Sequence, residues 1–430
     1  MKQLTAGLIL SACFISCRNN QAPLVTAVFA DSLVSHYTEP PEYRSNEADL
    51  LFWKKRIDPA HPGLVNELRY ASALVQRFHL SGDVSHLVAA DSVLHLVDSI
   101  YDHKEPAPVM ALLRNSILQH QFKKAATLLE VARKANLKPY DDYAATFDVS
   151  FELGQYLLAE TSLKKISSAT DYGYHFRRAK MAHYKGELDS AIAAMNRAAE
   201  MAGPDISLQQ AALSNTADLE LHNGNLQRAA ELYLQSIRLS TADLHSIIGL
   251  GWISLVHDKN DSLAERLFLF VQSKTKAPDI LYKLSQVAEA RGDTVLQKKY
   301  ALQFAAVVTE PVYGNMYNKY LIELYTGVLR EPMKAEALAE NELNNRSTPQ
   351  TQAWVAWAHY CNGRIADADN VYKQYVSGKP LEGLELYWMG KMMQGLKRGY
   401  NAQQFFKAAY KNRYDLAPGM VKDLEKALAE

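Results

Sequence analysis

Alanine returns along this chain at a near-constant interval. It stands at Ala125, Ala159, Ala191, Ala229, Ala264, Ala335, Ala368 and Ala402. The steps are 34, 32, 38, 35, 71, 33 and 34 residues, and the long step holds one weaker copy. A small residue at that period, in a chain without alternating strand patterns, marks stacked helical hairpins. Such hairpins cannot bury a core singly, so they bury one against their neighbours. The 430 residues would suggest about three domains by size alone. A solenoid instead grows by adding units, and the repeat takes precedence over the length.

Local signals agree with hairpins. Apolar residues recur three and four apart, as in Leu112, Leu113, Ser116 and Ile117, then Leu128, Leu129 and Ala132. Turn signals fall between such stretches at Gly82, Gly186, Gly224, Gly292 and Gly363. Glycine suits these points because a helix commonly ends on a left-handed residue.

The pattern resembles the tetratricopeptide-repeat (TPR) family, whose unit is two antiparallel helices crossing at small residues. The copy ending near Pro204 carries Ala179, Ala182, Gly186, Ala191, Met195 and Ala198. Later copies carry Ala356, Tyr360, Gly363, Ala368, Tyr372 and Tyr375, then Met389, Gly390, Ala402, Phe406 and Ala409. The pattern falters at Leu87 and Gln297, which replace the marker alanine, and at Glu342, where a small residue is usual. The resemblance implies an all-α fold. The expected architecture is an α-α superhelix, a right-handed solenoid of about nine or ten TPR-like hairpins over residues 45–430.

The N-terminus differs. Lys2 precedes an almost wholly apolar or small stretch from Leu4 to Ser16, and Arg18-Asn19-Asn20-Gln21 turns polar at once. This has the shape of a secretory signal. Its end resembles a bacterial lipoprotein signal, with Cys17 at the apolar-to-polar boundary as the preferred lipidation site. Leu10-Ser11-Ala12-Cys13 fits the usual lipobox better but leaves a very short apolar stretch, so Cys13 stays as the alternative. Residues 1–17 are thus read as signal and lipidation site. Residues 18–44, broken by Pro23, Pro40 and Pro41, are read as a tether. Arg18 after Cys17 implies an outer-membrane anchor, on the periplasmic face. With Cys17 lipidated and Cys13 removed, Cys361 stands alone and no internal disulfide forms.

Charge and motifs narrow the function. Lys plus Arg and Asp plus Glu both number 47, a balance that argues against a nucleic-acid partner. No His-Glu-x-x-His, Gly-x-Ser-x-Gly or phosphate-binding Gly-rich loop occurs, so neither enzyme, metal nor cofactor is expected. His86, His95, His103 and His120 do not share a helical face. Asp141-Asp142 follows Pro139-Tyr140 and reads as a helix N-terminus. Lys54-Lys55-Arg56 reads as a solvated helix face.

In TPR arrays the first helix of each hairpin lines the concave side. The family's groove positions map here onto Arg114, Asp148, Lys180 and Asp218, which alternate in charge. They continue onto Tyr282, Tyr320, Trp357, Tyr360 and Tyr387, which are aromatic. The implied groove is charged toward the N-terminus and aromatic toward the C-terminus. The expected function is a lipid-anchored scaffold or assembly factor that holds a protein or peptide in this groove. The alternative is a glycan-binding nutrient-uptake lipoprotein, although the long insertions that carry the sugar site in such proteins are missing.

Overall fold

The computed structural model describes residues 22–396, 399 and 401–429. Both candidate lipidation sites, Cys13 and Cys17, lie outside the described residues. Among those described there are helices and no strand, and no helix is long and apolar enough to cross a membrane.

Two helices precede the repeats, α1 (Ala27–Ser35) and α2 (Pro41–Lys54). Ten hairpins follow. The first five are α3 (Leu64–Ser81) with α4 (Val84–Ile100), α5 (Pro106–Leu118) with α6 (Phe122–Lys134), α7 (Pro139–Glu152) with α8 (Tyr156–Lys165), α9 (Tyr172–Tyr184) with α10 (Leu188–Met201), and α11 (Ile206–His222) with α12 (Leu226–Leu239). The next five are α13 (Leu244–Val256) with α14 (Asp261–Gln272), α15 (Asp279–Arg291) with α16 (Thr294–Val308), α17 (Asn318–Thr326) with α18 (Pro332–Asn345), α19 (Pro349–Cys361) with α20 (Ile365–Val371), and α21 (Gly383–Leu396) with α22 (Ala402–Lys411). Helix α23 (Pro418–Ala429) closes the chain. The chain forms the α-α superhelix of TPR-like hairpins that its repeat implies.

The hairpins arise from local chemistry. Asp83, Asp171, Asp205, Asp243, Asn260 and Asp293 each cap a helix by accepting a bond from a backbone N–H of its first turn. Pro106, Pro139, Pro332 and Pro349 open helices where no donor is lost. Gly82 ends α3 with φ +68°. Asp141 and Asp142 lie in the first turn of α7. At the helix crossings, Ala125, Ala159, Ala191, Ala229, Ala264, Ala335 and Ala368 are all 0% exposed. No larger side chain fits there without separating the helices.

The segment read as a tether is, over its described part, a packed strap. Val25 and Ala30 are each 1% exposed. The N–H groups of Leu24 and Val25 donate to the two carboxylate oxygens of Asp258, both at 2.9 Å. Asp31 pairs with Arg266, and the Tyr37 ring meets Phe270 edge-on. Of the prolines that suggested an interrupted linker, Pro40 caps α2 and Pro41 opens it, while Pro23 lies in the coil before α1.

Successive hairpins coil until distant ones touch. The turn after α3 meets the α14–α15 linker, where Lys276 N–H donates to the Ser81 carbonyl at 2.8 Å and its ammonium pairs with Asp83. The turn after α5 meets the end of α18. There Asn345 Oδ1 accepts from Phe122 N–H at 2.8 Å, and Asn345 Nδ2 donates to the His120 carbonyl at 2.6 Å. The chain after α22 meets α11 and α13 through Asp415 on His222 and the Tyr414 carbonyl on Trp252 Nε1. Each contact joins hairpins four to six units apart and closes the wall of the coil.

The weak copies lie at this closure. Glu342 is 0% exposed and accepts from Asn318, Asn345 and Arg346. Gln297 bonds Glu289, which accepts from Gly419 N–H. Leu87 lies in the hairpin whose turn docks on the α14–α15 linker. Closure places special demands on these hairpins, and there the repeat pattern breaks.

Candidate ligand-binding lumen

The closed coil encloses a lumen with two connected chambers. The first has a volume of about 920 Å³ and the second about 720 Å³. Lys180, His183, His222, Lys319, Tyr320 and Glu382 line both. Volumes of this size suit small-molecule or peptide ligands.

The walls come from first helices and from the ends of hairpins one coil turn away. Helices α7, α9 and α11 supply Phe151, Glu152, Lys180, His183 and His222. Helices α17 and α19, with the linkers beside them, supply Lys319, Tyr320, Arg346 and Trp354. The start of α21 adds Glu382 and Glu385, and the chain after it Asn412 and Arg413.

Charge in the lumen is organised in buried pairs. Lys319 lies 3.2 Å from the fully buried Glu385 and 3.5 Å from Glu382. Burial pulls the Lys319 ammonium down, but the two carboxylates outweigh it and hold it above the ordinary lysine value. Lys319 in turn holds Glu382 below its ordinary value, with help from His183 and His222. Glu152 pairs with Lys180 at 2.5 Å and Arg346 at 3.4 Å. Burial opposes its charge, yet these cations keep it lowered. Burial, seconded by Arg346, drops His120 to about 4.

The second chamber is different. Burial pushes Glu323 up to about 7 and pulls Lys283 down to about 8. The Tyr282 hydroxyl donates to Glu323 at 2.6 Å, and the Lys283 ammonium sits 3.7 Å over the Trp252 ring. Phe176, Met195, Leu219, Leu384 and Met420 give this chamber an apolar wall.

The nine groove residues read from the sequence separate into two groups. Lys180, Asp218, Tyr282 and Tyr320 line the chambers. Asp218 accepts from the Tyr233 hydroxyl and lies 2.9 Å from His245 Nε2. The other five stand outside the chamber linings. Arg114 is exposed. Asp148 accepts two bonds from Arg177, at 2.9 and 2.6 Å. Trp357 stacks on Trp388 and on Tyr360 and donates to Thr326 at 3.0 Å. Tyr387 donates to Asp423 at 2.8 Å.

Sequence reasoning passed over Lys283, Lys319, Glu323, Arg346, Glu382 and Glu385. Their signal was faint: Lys283 and Lys319 each neighbour a groove tyrosine, and Arg346 lies beside the aberrant Glu342. Only closure brings them together. One other cluster of ligand-type groups occurs among the described residues, Glu336, Glu340 and His359. The Arg364 guanidinium already pairs with both carboxylates there, and Asn362 donates to Glu336, so a cationic group holds that position.

No family model matches the chain, and no curated protein matches it. Among solved structures, the chain is similar to the human IFIT1 dimer with PPP-AAAA, at 13% identity over 77% of this chain and 76% of that one, TM-score 0.47. A tetratricopeptide-repeat protein from Parabacteroides merdae matches at 15% identity over 68% of this chain and 99% of that one, TM-score 0.33. The apo form of RapI matches at 13% identity over 77% and 98%, TM-score 0.38.

Proposed function

We propose that the lumen holds an extended segment of a partner protein, and that the chain is a binding scaffold rather than an enzyme. The supporting observation is the lumen itself: its two chambers share one set of side chains. An extended peptide offers a polar backbone and alternating side chains, which suit a lumen of fixed ion pairs with one apolar chamber. Aromatic rings in the first chamber favour this over a glycan. Tyr156 and Tyr184 stack on each other at 3.6 Å with Phe151 edge-on, so one face of each ring is already taken. We propose further that a lipid on Cys17, or on Cys13, holds the scaffold at the outer membrane, on its periplasmic face.

The test is affinity capture with two charge reversals. Lys180→Glu alters both chambers, whereas Lys123→Glu alters only an exposed outer position. Loss of the captured partner with the first alone is expected. Equal capture with both, or saturable binding of a single-stranded RNA oligonucleotide in the lumen, would overturn the reading. Labelling cells with an alkyne fatty acid tests the anchor. The label should vanish with Cys17→Ser, persistence there and loss with Cys13→Ser moves the site, and absence of label from the wild type removes it.

A further inference from the structure

Two polar groups face the second chamber without a protein partner. Gln286, on α15, is 6% exposed, and its amide oxygen accepts no hydrogen bond. Lys283 stands one helical turn before it on the same face. Among the described residues its ammonium makes no hydrogen bond or ion pair, and its neighbour is the Trp252 ring. A ring face engages the charge but leaves N–H donors unused. The other two lysines of this chamber are paired, Lys180 with Glu152 and Lys319 with Glu382 and Glu385.

The surroundings select what these groups take. Asp218, Glu323, Glu382 and Asp415 line the chamber with Lys180, Lys283, Lys319, His183 and His222, so its acidic and basic groups are close to balanced. A buried carboxamide is best satisfied by a group with one N–H and one C=O side by side, which is a peptide group. The apolar wall of Met195, Leu219, Leu384 and Met420 then receives a side chain rather than more backbone.

We infer that the second chamber reads a peptide unit bearing an apolar side chain, with the Gln286 carboxamide paired to a ligand peptide group and Lys283 donating to a ligand carbonyl. This rests on the lumen being the binding surface and adds what one half of it selects. Selection comes from a carboxamide whose oxygen is left unpaired in the free protein and from the apolar wall beside it.

The probe is N-acetyl-leucyl-alanine amide, titrated into the full chain at millimolar concentration and followed by ligand-observed NMR. The amide should bind. Gln286→Leu should weaken the amide about tenfold, the worth of one well-made hydrogen bond. Met420→Trp, which fills the chamber from α23, should abolish it, with thermal melts reporting that both variants fold. Unchanged binding in Gln286→Leu, or no binding of the amide, would each overturn the inference. If Lys180→Glu still abolishes partner capture in that event, the lumen reading stands and only this selectivity falls.

Discussion

Replacing Asn345 with alanine should open the coil where α18 meets the turn after α5. The side chain makes three bonds: from Phe122 N–H at 2.8 Å, to the His120 carbonyl at 2.6 Å, and to Glu342 at 3.1 Å. Glu342 keeps Asn318 and Arg346, so it remains satisfied. The Phe122 N–H does not, since Phe122 is 1% exposed and its amide opens α6 without another acceptor. A buried unsatisfied group costs about 1–3 kcal/mol, and the half-buried His120 carbonyl costs less. Alanine's better helix propensity returns a few tenths. The net loss is about 2–4 kcal/mol. Unfolding of a repeat array need not be two-state, so the local readout is hydrogen exchange at the Phe122 amide. Its exchange should accelerate by about 30-fold to several hundred-fold, at about 1.4 kcal/mol per tenfold. Unchanged exchange there would refute the closure, because among the described residues no other side chain accepts from that amide.

Other consequences follow from the same contacts. Gly251→Ala would set a methyl 2.7 Å from the Phe268 ring, and melts should show a loss of about 1–3 kcal/mol. His120 is held at about 4, so the unfolded chain takes its proton first on acidification, and stability should fall between about pH 6.5 and 4 by up to about 3 kcal/mol. A His120→Gln variant should flatten that slope. His222 has the opposite sign: burial lowers it, but Asp415 outweighs burial and raises it. Its contribution is full below the ordinary histidine value and is lost as pH rises through the raised one, so exchange in residues 412–416 should quicken on that side. Burial pushes the Cys361 thiol up to about 12, so thiol reagents should modify it only as the chain unfolds.

What the sequence disclosed follows from range. Ala191 and Gly186 act within one hairpin, so their spacing carried the fold. The lumen depends on Phe122 meeting Asn345 and on Ser81 meeting Lys276, contacts that no local period encodes. Groove positions borrowed from the family pattern found Lys180, Asp218, Tyr282 and Tyr320, which stand on first helices between α9 and α17. In the last hairpins the same positions hold Trp357 and Tyr387, whose bulk packs into seams beside Trp388 and Asp423. Lys283 and Gln286 went unremarked because a lysine and a glutamine on a helix usually face water. The strap went unread because Pro40 and Pro41 look the same at the start of a helix as in a loose linker.

The most direct test of the account is site-specific photo-crosslinking from inside and outside the coil. A photoreactive residue at Tyr320, which lines both chambers, should crosslink a partner in cells, and one at Lys180 should mark the same partner segment. A photoreactive residue at Leu157, 80% exposed on the outer side of α8, should not. Crosslinks from Leu157 with none from Tyr320 and Lys180 would contradict a binding lumen.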